Sequence, residues 1–138
     1  MKIVMTVGLP RCGKSTWTKE QKGVPIVNPD SVRLAVHGER FNARKEGLVW
    51  WVVDTMIEAL RHAGHDEIIL DATNLEEKRR LSYAENYELE YVIFDTPVEE
   101  CKRRALATNQ ADLVEVIDRM SETASIPTEN VREVIKWR

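Results

Sequence analysis

Two glycines, a lysine and a serine fall at a phosphate-binding spacing: Gly8-Leu9-Pro10-Arg11-Cys12-Gly13-Lys14-Ser15 matches G-x-x-x-x-G-K-S. In such a loop successive backbone N–H groups turn inward onto a β-phosphate. The helix that follows adds the positive end of its dipole. Gly13 permits a backbone approach that a Cβ would block. Lys14 is placed to bridge the β- and γ-phosphates, and Ser15 to offer its hydroxyl to Mg²⁺. Gly8, Pro10, Arg11, Cys12 and Thr16 complete the nucleotide-binding stretch. The expected ligands are ATP and Mg²⁺. The loop alone does not say what the phosphate is used for.

Two carboxylates stand at comparable positions further on. In Asn28-Pro29-Asp30-Ser31-Val32-Arg33, Asp30 could accept the proton of a hydroxyl attacking the γ-phosphorus. Arg33, one helical turn later, would share its face and offer a guanidinium to a nearby anion. The same spacing also suits a helix cap at Asp30 and a surface arginine at 33. In Leu70-Asp71-Ala72-Thr73-Asn74, Asp71 ends an apolar run, where ligands gather in open α/β sheets. It would orient Mg²⁺ or the waters around it. The alternative, a cap for the next helix, fits Thr73 or Asn74 better.

These residues need a frame that brings strand ends together. Continuous β-branched and apolar runs predict strands over 2–7, 24–28, 67–71 and 89–95. Helical spacing predicts helices over 14–22, 29–36, 46–63, 75–83 (extending up to 86), 98–107, 112–123 and 128–136. The 46–63 helix is the clearest, with Leu48, Val49, Val52, Val53, Met56, Ile57 and Leu60 on one face. Strands alternating with helices predict an α/β fold, a parallel sheet covered on both faces in three layers. Residues 1–138 read as a single domain.

With 43% hydrophobic and 31% charged residues, the chain has the balance of a globular domain, and its net charge of −3 argues against general nucleic-acid coating. Any polynucleotide would have to meet a local basic groove. No apolar run is long enough to span a bilayer, and the first residues do not form a signal peptide, which predicts a cytoplasmic protein. Cys12 and Cys101 have no metal or redox spacing and are expected as reduced thiols. The N-K-x-D motif of a GTP switch is missing. A motor or AAA-type ATPase would normally be longer, with adjacent acids ending the third strand.

Taken together, the loop from Gly8 to Trp17, Asn28 to Arg33, Arg44-Lys45-Glu46-Gly47, Asp71 to Leu75 with Arg79-Arg80, and Phe94-Asp95-Thr96-Pro97 resemble the phage-type polynucleotide 5′-kinase. Order and spacing hold from Met1 to about Arg104. The resemblance implies an adenylate-kinase-like P-loop kinase fold with four or five parallel strands and a small helical lid, here roughly 103–115. It implies transfer of the γ-phosphoryl group of ATP to the 5′-hydroxyl end of DNA or RNA, in the cytoplasm or, for a phage-encoded enzyme, in that of its host. By the same match Lys14 and Ser15 are the P-loop pair, Asp30 the general base, and Arg33 the arginine that holds the acceptor's phosphate.

Two departures stand out. The lid arginine's position falls near Thr108, so Arg104 or Arg103 could substitute from one turn earlier, the alternative being that both are ordinary helix-surface charges. The phosphatase domain of the phage enzyme has no counterpart motif here. Thr73, Asn74 and Arg80 are further candidates along the acceptor path, although Arg79 and Arg80 also suit a solvated helix face. Trp17 is expected in the core. One of the adjacent Trp50 and Trp51 should be exposed and could stack a base. The stretch Ser125-Ile126-Pro127-Thr128 is expected beside the adenine. Two rivals remain: a small-molecule kinase acting on a nucleotide, sugar or antibiotic, and a nucleotide-binding regulatory protein without turnover.

Overall fold

Ile3, Val4, Met5 and Val7 leave strand β1 (Lys2–Val7) without a solvent-facing side, and it takes the centre of the sheet. The computed structural model describes residues 1–137. Strands β2 (Ile26–Val27), β3 (Glu67–Leu70), β4 (Glu88–Phe94) and β5 (Val131–Ile135) complete a five-stranded sheet in the order β2-β3-β1-β4-β5. Every pairing is parallel. From β1 the chain crosses to the edge strand β2, returns to β3 beside β1, and then passes to β4 and β5 on the other side, so loops diverge at the carboxyl end of β1. That divergence is where open α/β sheets bind ligands.

Alternation along β1 feeds two cores. Ile3, Met5 and Val7 pack with Val32 of α2 (Pro29–His37), with Val49, Val53 and Ile57 of α3 (Glu46–His62), and with Tyr83 beyond α4 (Glu77–Ser82). Val4 faces the other layer, with Cys101 and Ala105 of α5 (Val98–Ala107) and Ile117 of α6 (Asp112–Thr123); Trp17 of α1 (Lys14–Glu20) leans on the same cluster. The result is the expected three-layer α/β fold. Among the described residues no helix is long and apolar enough to cross a membrane.

One expected element changes type. Residues 128–136, read as a helix, contain strand β5, which pairs with β4 from Tyr91↔Val131 to Phe94↔Ile135. The reason is tertiary: β4 presents an open edge, and Val131, Val134 and Ile135 are β-branched residues suited to cover it. Arg132 reinforces the join by bonding Glu90 (2.7 Å) on β4 and Glu67 on β3. The fourth helix is also shorter than expected, because Leu75 is buried ahead of it and its carbonyl accepts from Ser125 N (2.9 Å).

Candidate active site

The phosphate loop joins β1 to α1 and is pinned from both neighbours. Gly8 N donates to Thr73 O beyond β3 (3.0 Å), and Thr96 Oγ1 beyond β4 donates to Cys12 O (2.8 Å). Gly8 has no room for a side chain: a Cβ there would lie 2.5 Å from Cys12 Sγ and 3.1 Å from Phe94 Cβ. Arg11 (φ 68°) and Gly13 (φ 107°) take left-handed conformations that curl the loop. No side chain caps α1, so the leading N–H groups of the helix face the loop's concavity. Lys14 lies across that concavity, its Nζ donating to Gly8 O (2.9 Å) and Leu9 O (2.7 Å). Ser15 and Thr16 are exposed at its rim, and Pro10 is half-buried in the turn.

Asp71 stands directly after β3 and is 6% exposed. Thr6 Oγ1 (3.1 Å), Thr18 Oγ1 (3.3 Å) and Asn28 Nδ2 (3.3 Å) surround its carboxyl. Burial pushes its pKa up, while the Lys14 charge pulls it down. Among the described residues it forms no ion pair, so a buried carboxylate stands beside the phosphate loop without a cation in contact. That arrangement fits Mg²⁺. No group of three or more protein carboxylates, histidines or cysteines could enclose a metal among the described residues. Mg²⁺ would therefore be held by Ser15 and phosphate oxygens, with Asp71 ordering its waters.

Asp30 opens α2 after β2. The cap of that helix is Asn28, whose Oδ1 accepts from Asp30 N (2.8 Å) and Ser31 N (3.3 Å), so the capping alternative for Asp30 falls away. The Asp30 side chain is 70% exposed and accepts from Arg33 Nη1 at 2.7 Å. Arg33 is only 15% exposed because Glu46, at the start of α3, takes its Nε (3.0 Å) and Nη2 (2.6 Å). Each Nη atom keeps one uncommitted N–H. The sequence indicated the Asp30–Arg33 pair but not Glu46 as its anchor, since no local pattern links residues 13 apart. Thr6 and Thr18 were also missed, and Thr96 stood in the Phe94–Pro97 stretch without an assigned role. Asn28 had a readable signal, an asparagine directly before a proline at the helix start.

Of the two lid arginines, Arg104 reaches the loop: its Nη1 donates to Arg11 O (3.2 Å) and lies 4.0 Å from where a Gly13 Cβ would stand. Arg103 turns outward onto Glu100 (2.7 Å) and touches no loop residue. Arg103 and then Arg104 hold the Glu100 carboxyl down at about 2. Residues 103–115 form the end of α5, a short turn and the start of α6. Thr108 Oγ1 bonds back to Arg104 O (2.9 Å) within that hairpin.

Other expected acceptor residues are placed differently. Asn74 is buried, with a left-handed backbone (φ 48°), and its Nδ2 donates to Thr6 O (2.8 Å) and Leu70 O (3.2 Å). Arg80 is 3% exposed and donates to Asn74 O (2.9 Å) and Ser125 O (2.6 Å). Both tie the frame together and face no acceptor path. Thr73 is half-buried, with its carbonyl taken by Gly8. Trp17 packs edge-to-face on Phe94 at 6.2 Å, as expected of a core residue. Trp50 lies under the Arg79 guanidinium (3.7 Å), and Trp51 is the exposed one of the pair. A cavity of ≈ 190 Å³ beside the loop is lined by Gly8, Leu9, Leu75, Phe94, Thr96 and Ile126, which brings the 125–128 stretch next to the phosphate site.

A parallel sheet of this order, with G-x-x-x-x-G-K-S after its central strand and acids after β2 and β3, defines a P-loop kinase. The chain belongs to a family described as AAA domain, whose model matches residues 3–127. The expectation against an AAA-type ATPase is narrowed accordingly: the family carries that description, while the structural likenesses are to kinases. A structure described as the Pnkp1/Rnl/Hen1 complex is 28% identical, with a TM-score of 0.65 over 75% of this chain and 38% of that one. Another, of the Pnkp1/Rnl/Hen1 RNA repair complex, is 22% identical, with a TM-score of 0.62 over 91% of this chain and 48% of that one. The chain thus spans less than half the length of either. The APS kinase of Mycobacterium tuberculosis, in complex with AMPPNP and APS, is 18% identical, with a TM-score of 0.63 over 98% of this chain and 87% of that one.

Proposed function

We propose that the chain is a polynucleotide 5′-hydroxyl kinase that transfers the γ-phosphoryl group of ATP to a DNA or RNA 5′-end. The observation that carries this reading is Asp30: an exposed carboxylate at the carboxyl edge of the sheet, relieved of capping by Asn28 and fixed by Arg33. The similarity to Pnkp1 adds weight to a nucleic-acid acceptor.

In this mechanism Asp30 takes the proton of the attacking hydroxyl while Arg33 holds the carboxylate in line. The two uncommitted N–H groups of Arg33 face an acceptor phosphate. Loop N–H groups and Lys14 hold the donor's phosphates, Lys14 exchanging its two carbonyl partners for phosphate oxygens. Arg104 neutralises charge that develops as the phosphoryl group moves. Ser15 would help hold Mg²⁺ with Asp71 ordering its waters, and the ion would supply charge neutralisation to the phosphates. The ≈ 190 Å³ cavity beside Leu9 and Ile126 would take the adenine.

A second reading, a small anionic acceptor, is favoured by the near-complete mutual coverage with APS kinase. One experiment separates them: γ-phosphate transfer from ATP·Mg²⁺ to a short single strand with a 5′-hydroxyl or a 5′-phosphate, using wild type and Asp30→Asn. Label on the 5′-hydroxyl strand only, reduced about a hundredfold or more in the variant, is the expected result. No label on any strand, with ATP still bound, sinks the polynucleotide reading.

A further inference from the structure

Phe41 stands against the Asp30–Arg33–Glu46 network and is 61% exposed. The Arg33 guanidinium lies 5.6 Å from its ring centroid. A ring this exposed contributes little to the core, yet it is presented from a fixed loop between α2 and α3. Arg40 pairs with Asp112 at the start of α6, Lys45 pairs with Glu39 (3.2 Å), and Asn42 caps the following 3-10 turn by accepting from Arg44 N (3.1 Å). Arg44 itself is exposed and forms no ion pair among the described residues. An open aromatic ring and a fixed carboxylate therefore flank one guanidinium, with an uncommitted cation three residues along the same segment.

We infer that Phe41 is the stacking platform for the terminal nucleobase of the acceptor strand. The inference rests on the polynucleotide reading above and names how that acceptor is gripped. One guanidinium separates the ring from the general base, which suits the span of a single nucleoside from its 5′-hydroxyl to its base. Stacking needs only a π-face, so the grip tolerates any base. Arg44, three residues along the chain from Phe41, adds an uncommitted positive charge to the same segment for the strand's phosphates.

The exposed tryptophan is a poorer candidate. Trp51 lies five residues beyond Glu46 on α3, about 140° around the helix from it. It borders a surface shared with Asp54 and Glu58, whose charges would repel a strand.

The test compares two 5′-hydroxyl strands identical except that one has an abasic terminal ribose. Wild type should show a KM for the abasic strand about tenfold to a hundredfold higher. Phe41→Ala should lose that discrimination, with both strands at the abasic value, and Phe41→Trp should regain it. A merely structural role for Phe41 would raise both KM values together and leave their ratio intact. If Phe41→Ala keeps the wild-type ratio, the stacking role is overturned while the kinase reading stands. If wild type labels neither strand but still binds ATP, the polynucleotide reading fails first and the stacking role falls with it.

Discussion

The Asp71 carboxyl is 6% exposed, and its hydrogen-bond partners Thr6, Thr18 and Asn28 are all uncharged. Burial raises its pKa above the ordinary 3.8, against the pull of Lys14. An acid with a raised folded pKa binds more protons folded than unfolded in the window between the two values. Stability therefore falls as pH rises through that window. Asp71→Asn keeps the shape and the hydrogen-bonding neighbours but cannot ionise. Measured without Mg²⁺ or nucleotide, its urea midpoint should gain on wild type as pH rises above 3.8, then hold a constant lead above the folded pKa. Phosphoryl transfer should fall in the same variant, because the charge that burial disfavours is the one that orders the metal's waters in the proposed mechanism. A variant that loses stability relative to wild type at neutral pH would mean that the neighbours stabilise the ionised form more than burial opposes it. In that case Asp71 would be a structural residue.

Two arginines adjacent in sequence separate at the level of elements. Arg80 joins α4 to the turn after β3 and to the segment after α6, through Asn74 O and the Ser125 O and Oγ atoms. Arg79 lies over Trp50 of α3 on the half-exposed side. Arg80→Ala leaves one buried and one part-buried carbonyl without this donor and should cost about 2–4 kcal/mol in urea unfolding. Arg79→Ala should cost under about 1 kcal/mol. Equal losses would contradict the structural role given to Arg80. The pair shows where local pattern runs out: Glu76 to Arg80 reads as a solvated face, and only the arrival of Ser125 from 45 residues away turns one arginine inward. The same limit explains β5, whose spacing suits a helix until the open edge of β4 is present. Strands β1, β3 and β4 were legible because burial on both faces writes continuous apolar runs into the sequence. The phosphate loop and Asp30 were legible because their chemistry is local. Thr6 and Thr18 enter the site from other segments and left no local mark, and Glu46 stood in a resembling stretch with nothing local to tie it to Arg33.

Across the whole molecule, the site is made by loops meeting at one edge of the sheet. Asp30 arrives after β2, Asp71 after β3, the phosphate loop after β1, and Thr96 after β4. In the proposed mechanism the acceptor side lies toward β2 and α2 and the donor side toward β4 and α5. Arg104 closes the donor side from α5, with one bond to Glu100 (3.1 Å) on its own helix and one to Arg11 O (3.2 Å) on the loop. A guanidinium so placed needs only a small shift to reach a phosphoryl group held by the loop. Arg103, on the same helix, has its charge spent on Glu100 and points away. Arg104→Ala should therefore lower kcat by about 10²–10³-fold, with a much smaller change in ATP affinity. Arg103→Ala should leave both within about threefold, as exposed ion pairs contribute little. Arg104→Lys supplies the charge without the planar fork and should recover only part of the rate. The decisive readings are single-turnover transfer and equilibrium ATP binding on all three variants. A loss confined to ATP binding would make Arg104 a clamp on the loop, and an equal loss in Arg103→Ala would mean that the helix, not one guanidinium, serves the transfer.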